Sequence, residues 1–233
     1  MTRPVWAVVP AAGRGRRFGG DVPKQYLQVH GQPLLAFALD ALLAEPRIAG
    51  AIVAIGAEDA WWPGWTARAG KPVLTCTGGA ERADSVLAAL DALEAQGHGS
   101  ALVAVHDAAR PNLDAADISR LLDAALADDA GAILAAPVRD TLKRGEHGRI
   151  AATQPREALW RAFTPQAFPL PALRAALARC RELGVLPTDE AMAMELAGIR
   201  PRLVEGREDN LKVTTQADLA LVEFLLARRG ASA

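Results

Sequence analysis

Short apolar runs alternate with amphipathic helical stretches along this chain, and that alternation leaves few folds open. The candidate strands are Val5–Val9, Ala51–Ile55, Pro72–Cys76, Ala101–His106 and Ala132–Pro137. The candidate helices are Leu34–Ala44, Arg82–Ala95, Ala115–Ala127, Pro171–Leu183, Glu190–Leu196 and Gln216–Ala227. The first helix gathers Leu35, Leu39, Leu42 and Leu43 on one face, and the second gathers Val86, Leu87, Leu90 and Leu93. Asp114 and Thr215 stand at N-cap positions, and Thr215-x-x-Asp218 has the form of a capping box. Strand–helix alternation predicts an α/β fold, with a Rossmann-like, mostly parallel sheet covered by helices on both faces. With 233 residues, 51% of them hydrophobic, the chain has enough material for a sizeable core and reads as a single domain over 1–233.

One segment breaks the rhythm. Arg139–Glu157 is polar throughout, with a turn at Gly145-Glu-His-Gly148. It predicts a protruding β-hairpin arm at about 138–158. A lone two-stranded hairpin is marginal in water, so the arm is expected to lie on something, a second subunit being the simplest candidate. A flexible surface loop is the alternative.

Charge and composition exclude several classes. The net charge is −1 and the pI near 6.4, which disfavours a general nucleic-acid binder. No apolar run approaches the ~20 residues of a membrane span. The start, Met1-Thr-Arg-Pro, makes a poor signal peptide, so the expected location is cytoplasmic. Cys76 and Cys180 lie far apart and belong to no C-x-x-C, so they read as buried free thiols. The four histidines form no zinc motif, and there is no G-x-S-x-G. Trp61-Trp-Pro-Gly-Trp65 reads as a packing or interface patch rather than a base-stacking platform.

The chemistry concentrates after the first strand, in Pro10-Ala-Ala-Gly-Arg-Gly-Arg-Arg-Phe-Gly-Gly-Asp-Val-Pro-Lys24. Small residues let backbone N–H groups approach phosphates, and Arg14, Arg16, Arg17 and Lys24 can neutralise them. Arg14 and Arg16 also fit ordinary solvated positions. Two standard phosphate motifs fail: Asp21 stands where a P-loop needs Lys, and Phe18 where a dinucleotide fingerprint needs its third Gly. In open α/β sheets ligands bind at the carboxyl ends of strands. That rule brings this loop together with Gly78-Gly-Ala-Glu-Arg-Ala-Asp-Ser85 and His106-Asp-Ala-Ala-Arg-Pro111. Asp107 and Arg110 could hold a metal, a hydroxyl or a second phosphate, although Asp107 could equally cap a helix.

These and later motifs together resemble one family. They are Val9-Pro-Ala-Ala-Gly13 with Arg17 and Pro23-Lys-Gln-Tyr26, Gly79 with Glu81-Arg-Ala-Asp-Ser-Val86, Val105-His-Asp-Ala-Ala-Arg-Pro111, and Ala135-Ala-Pro-Val-Arg-Asp-Thr141. Leu159-Trp160 with Thr164-Pro-Gln166, Thr188-Asp-Glu-Ala191, Val204-Glu-Gly-Arg207 and Asp209-Asn-Leu-Lys-Val-Thr214 complete the set. The pattern resembles the 2-C-methyl-D-erythritol 4-phosphate cytidylyltransferases of the non-mevalonate isoprenoid route. The resemblance implies a fold of the nucleotide-diphospho-sugar transferase type. It implies transfer of a cytidylyl group from CTP to methylerythritol phosphate, with Mg²⁺ on the triphosphate and no certain protein metal ligands. It also implies a homodimer joined through the arm.

By the same resemblance Arg17 and Lys24 stabilise the transition state, and Arg156 and Lys212 orient the acceptor. Pro10, Ala11, Ala12, Gly13, Gly79, Ser85 and Ala108 line the CTP side, and Asp107, Arg110, Thr141, Thr164 and Thr188 serve the acceptor. Thr188 also fits as the N-cap of the helix near Glu190. Ala80 departs from the family, where an acidic residue is common. Rival readings are a cytidylyltransferase for another acceptor such as ribitol 5-phosphate, and a non-catalytic nucleotide-binding module. The failed fingerprint disfavours an NAD-dependent oxidoreductase.

Overall fold

Val5, Ala7 and Val9 of β1 (Val5–Pro10) pack into one apolar cluster, while Trp6 and Val8 pack into another. Successive strand residues point to opposite faces, so both faces of the sheet are covered here. The structure, a computed structural model, describes residues 3–13 and 22–230. The first cluster is closed by α1 (Leu34–Leu43), through Leu35, Leu39, Leu42 and Leu43, and by α3 (Ala115–Leu126), through Ile118, Leu121 and Leu122. The second is closed by α2 (Arg82–Leu93), α4 (Leu170–Glu182) and α5 (Glu190–Leu196). A smaller cluster seats α6 (Gln216–Gly230) through Val222, against Val29, Leu34 and Val213. The caps form as the sequence predicts. The Asp114 carboxylate accepts from the Ala116 N–H at 2.9 Å, and Thr215 and Asp218 bond reciprocally at 3.2 and 2.8 Å.

The remaining strands are β2 (Gln28–Val29), β3 (Gln32–Pro33), β4 (Ile48–Ile55), β5 (Ala67–Arg68), β6 (Lys71–Thr77), β7 (Leu102–Val105), β8 (Ala132–Pro137), β9 (Leu142–Glu146), β10 (Arg149–Gln154), β11 (Trp160–Pro169) and β12 (Arg202–Glu205). The described residues form a central sheet in the order β12-β8-β11-β7-β1-β4-β6-β5. β7, β1, β4 and β6 run parallel, as do β8 and β12. β11 is antiparallel to both β7 and β8, and the short β5 is antiparallel to β6. The sheet is therefore mostly parallel, with one long antiparallel strand inserted where the expected alternation gave none.

β9 and β10 form the expected hairpin, joined by His147-Gly148 with φ of 50° and 75°. Two positive φ values are what a two-residue hairpin turn needs to match strand twist. Nearly every arm residue is exposed, Ile150 at 69%. Trp62 and Trp65 pack edge-on against each other at 5.5 Å and lean on the first cluster, with the Arg68 guanidinium 4.1 Å from the Trp65 ring. Trp62 and Trp65 thus take the packing role, while Trp61 of the same run is 48% exposed. Cys180 is buried, but Cys76 is only partly so; burial pushes its thiol up to about 11, which keeps it protonated at neutral pH.

Candidate active site

The loops leaving β1, β6 and β7 meet at the carboxyl edge of the sheet around a cleft of about 380 Å³. The first loop is tied to its neighbours by backbone bonds: Ala11 N–H donates to the Ala54 carbonyl and Gly78 N–H to that of Ile55, both at 2.8 Å. Gln25 then reaches in. Its amide donates to the Ala11 carbonyl at 2.6 Å and the Gly13 carbonyl at 3.0 Å. Two carbonyls of the loop are thereby occupied by protein, which favours N–H groups as what it offers a ligand.

The opposite wall is the start of α2. Here glycine is required by space. A Cβ on Gly79 would lie 2.3 Å from the Asp84 Cβ, and one on Gly78 would lie 2.5 Å from the Ala12 Cβ. Close approach brings the Gly79 N–H to the Ser85 hydroxyl oxygen at 3.2 Å, and the Ser85 hydroxyl donates to the Glu81 carbonyl at 3.1 Å. Glu81 and Asp84 form a capping box at the same turn. The positive end of the α2 dipole thus faces the cleft.

The floor is a charge cluster centred on Asp107, which is 7% exposed. Arg82 Nε donates to Asp107 Oδ1 at 2.9 Å, while Lys212 Nζ and Arg110 Nε reach Oδ2 at 2.9 and 3.4 Å. Burial alone would raise the Asp107 pKa, but Arg82, Lys212 and Arg110 outweigh it and hold the carboxyl well below the usual carboxylate range. Burial likewise pulls the Arg110 guanidinium down, against the Asp107 charge. Arg82 also forks onto Glu190, at 2.6 and 3.1 Å. Burial opposes the Arg82 charge, yet Glu190 and then Asp107 hold it above the ordinary arginine value.

Behind Asp107 a neutral relay fixes the backbone. Asp107 N–H donates to Thr164 Oγ1 at 3.1 Å, and Thr164 Oγ1 lies 3.0 Å from His106 Nδ1. His106 Nε2 lies 2.9 Å from the Arg110 carbonyl, which can only accept. The proton therefore sits on Nε2, and the Thr164 hydroxyl donates to Nδ1. Burial lowers the His106 pKa to about 4, consistent with this neutral form. Lys212 is delivered by a segment pinned to the same loop. Val213 N–H donates to the Ala109 carbonyl at 2.9 Å, Arg110 Nη1 to that of Asn210 at 2.7 Å, and Asn210 Nδ2 to that of Thr164 at 2.8 Å.

All seven residues expected on the CTP side line the cleft, together with Lys24, Asp107 and Lys212. Arg110 and Thr164 stand immediately behind Asp107. Arg17, with Arg14 and Arg16, lies outside the described residues. Thr141 and Arg156 lie at the two ends of the hairpin, exposed and not lining the cleft. Thr188 is also exposed and away from it, and it is not the N-cap. Asp189 caps α5, its carboxylate accepting from the Met192 N–H at 2.9 Å, while the Thr188 hydroxyl faces the Met192 sulfur. Asp107 caps no helix: the helix that follows it, α3, starts at Ala115 and has Asp114 as its cap. Arg82, Glu190, Gln25 and His106 are the site residues to which the sequence pattern assigns no role.

The family model described as IspD, 2-C-methyl-D-erythritol 4-phosphate cytidylyltransferase, matches residues 5–228. The chain belongs to this family. A 2-C-methyl-D-erythritol 4-phosphate cytidylyltransferase of Stenotrophomonas maltophilia is 63% identical over 230 residues, spanning 98% of this chain and 99% of its own. The crystal structure of a 4-diphosphocytidyl-2C-methyl-D-erythritol synthase superimposes with a TM-score of 0.82 at 33% identity, covering 97% of this chain and 100% of that one. The cytidylyltransferase structure from Thermus thermophilus gives 0.76 at 35% identity, covering 95% and 98%. The family is one of nucleotidyltransferases, and none of these matches favours a ribitol phosphate acceptor.

Proposed function

We propose that this chain transfers the cytidylyl group of CTP to 2-C-methyl-D-erythritol 4-phosphate, in isoprenoid precursor synthesis, by positioning and electrostatics alone. An oxygen of the acceptor phosphate attacks the α-phosphorus of CTP. The new P–O bond forms as the bond to the β-phosphate oxygen breaks, and pyrophosphate leaves with that electron pair. The nucleophile is already an anion, so no general base is needed. The barrier is bringing two anions together and stabilising charge on the equatorial oxygens and leaving group.

The observation that carries this reading is the cleft itself. It joins a small-residue loop, a helix N-terminus and the ammonium groups of Lys24 and Lys212, with no nucleophile–base pair among its described lining residues. Lys24 and Arg17 act at the α-phosphate. Lys212, held 2.9 Å from Asp107, and Arg110 receive the acceptor phosphate. Backbone groups of the small residues read the cytosine edge, an amino donor beside acceptors.

Among the described residues no group of three or more His, Cys, Asp or Glu could hold a metal ion, and Asp107 has both oxygens committed to cations. Mg²⁺ therefore fits as a passenger on the CTP triphosphate, where it would neutralise phosphate charge. The exposed arm fits a homodimer in which Thr141 and Arg156 complete the partner's cleft. No described helix is long and apolar enough to cross a membrane, and both cysteines are free, which supports a reducing, cytoplasmic setting.

Pyrophosphate release with each acceptor tests the reaction. Turnover should require methylerythritol 4-phosphate, and turnover with ribitol 5-phosphate alone would overturn the assignment.

A further inference from the structure

Glu190 is 1% exposed, sits at the first position of α5, and does not line the cleft. Its carboxylate takes two bonds from Arg82, the first residue of α2. Arg82 Nε donates to Asp107 Oδ1, which leaves Oδ2 to Lys212 at 2.9 Å, with Arg110 Nε farther off at 3.4 Å. Four separate segments thus form one chain of charges: Glu190, Arg82, Asp107, Lys212.

Burying such a pair is no bargain for the fold, since apolar packing would serve stability as well or better. Its value lies in what it does to Asp107. A guanidinium is a rigid planar fork, and Glu190 occupies two of its nitrogens. Glu190 thereby fixes how the guanidinium is turned, and in that orientation Nε donates to one Asp107 oxygen, Oδ1. Take away the Glu190 charge, and Arg82 is free to close on Asp107 and compete with Lys212. Take away the Arg82 fork, and Asp107 Oδ1 loses its donor, so the carboxylate can rotate and the ammonium loses its aim.

We propose that Arg82 and Glu190 are positioning residues for the acceptor phosphate, acting through Asp107 on the Lys212 ammonium. This rests on the reading that Lys212 receives that phosphate. A misplacement of about 1 Å at a reacting centre can cost up to ~10²-fold.

The test is steady-state kinetics on Glu190→Gln and Arg82→Lys, each alone and combined with Lys212→Ala. Each single variant should raise KM for methylerythritol 4-phosphate about tenfold, with KM for CTP moving less than about twofold. Each double variant should be no worse than Lys212→Ala alone, because the second change acts through an ammonium already gone. A purely structural role would disturb α2, raise KM for CTP, and multiply with Lys212→Ala; that result overturns the proposal. If Lys212→Ala itself left KM for the acceptor unchanged, the site reading would fail instead. Thermal melts accompany the kinetics. Should Glu190→Gln fail to fold, Arg82→Lys, which keeps a cation beside Glu190, decides the question by the same two readouts.

Discussion

At the scale of single residues, the site is a set of cations whose places are fixed by other side chains. Lys24 lines the cleft at the end of the loop that Gln25 ties to Ala11 and Gly13. Removing one preorganised donor from a developing anion costs roughly 10²–10³-fold in kcat. Lys24→Ala should show a loss of that size with an unchanged melting temperature, and a drop below tenfold would remove Lys24 from the chemistry. Lys24 and Asp107 are legible in compact local patterns, the cationic loop after the first strand and the turn after another, while the family resemblance alone points to Lys212. Arg82 and Glu190 are not legible as a pair. They lie 108 positions apart, and their ion pair exists only once α2 and α5 meet on one face of the sheet. Both stand inside motifs that carry the family resemblance, Glu81-Arg82 and Asp189-Glu190, but local spacing holds no trace of their partnership. Thr188 shows the converse. Its neighbour Asp189 has the same capping chemistry, and backbone geometry chose between them.

At the scale of elements, strands buried on both faces were easy to read and the others were not. β1 and β8 are continuous apolar runs because helices cover both of their sides. β11 contains Pro165 and Pro169, breakers in any local reading, and gains its place from antiparallel pairing with β7 and β8. β12 has four residues, of which only Leu203 and Val204 are apolar, and Leu203 is 50% exposed. The β8–β11 ladder is interrupted between Ala162 and Gln166, and there Thr164 joins the relay to His106 and Asp107. That junction should be pH-sensitive. His106 takes a proton at about 4 in the fold, and near 6.5 once unfolded. Between these values the unfolded chain binds more protons, so stability falls as pH drops from about 6.5 towards 4, by up to about 3 kcal/mol. Chemical denaturation at pH 7 and pH 5 should show about 2 kcal/mol of this loss, and His106→Asn should flatten it. Equal slopes for the two proteins would mean that the imidazole is not the group responsible.

At the scale of the whole molecule, the unresolved tension is between cleft and arm. A single chain brings Lys24, Asp107 and Lys212 to one place but leaves Thr141 and Arg156 exposed at the hairpin ends. An arm as solvent-exposed as β9–β10 gains little from folding alone and much from lying on another surface. A twofold dimer would bring each arm to the other subunit's cleft by the same contacts. Each site would then draw Lys24 from one subunit and Arg156 from the other. The consequence is arithmetic. Lys24→Ala and Arg156→Ala homodimers are each impaired at both sites. Their heterodimer concentrates both lesions in one site and leaves the other intact. Random reassortment of equal amounts makes half of the dimers heterodimeric, so about a quarter of wild-type activity should return on mixing. If the arm served its own subunit's cleft, every site would keep one lesion and mixing would restore nothing. The assay therefore separates a shared site from a self-contained one without any structure of the assembly.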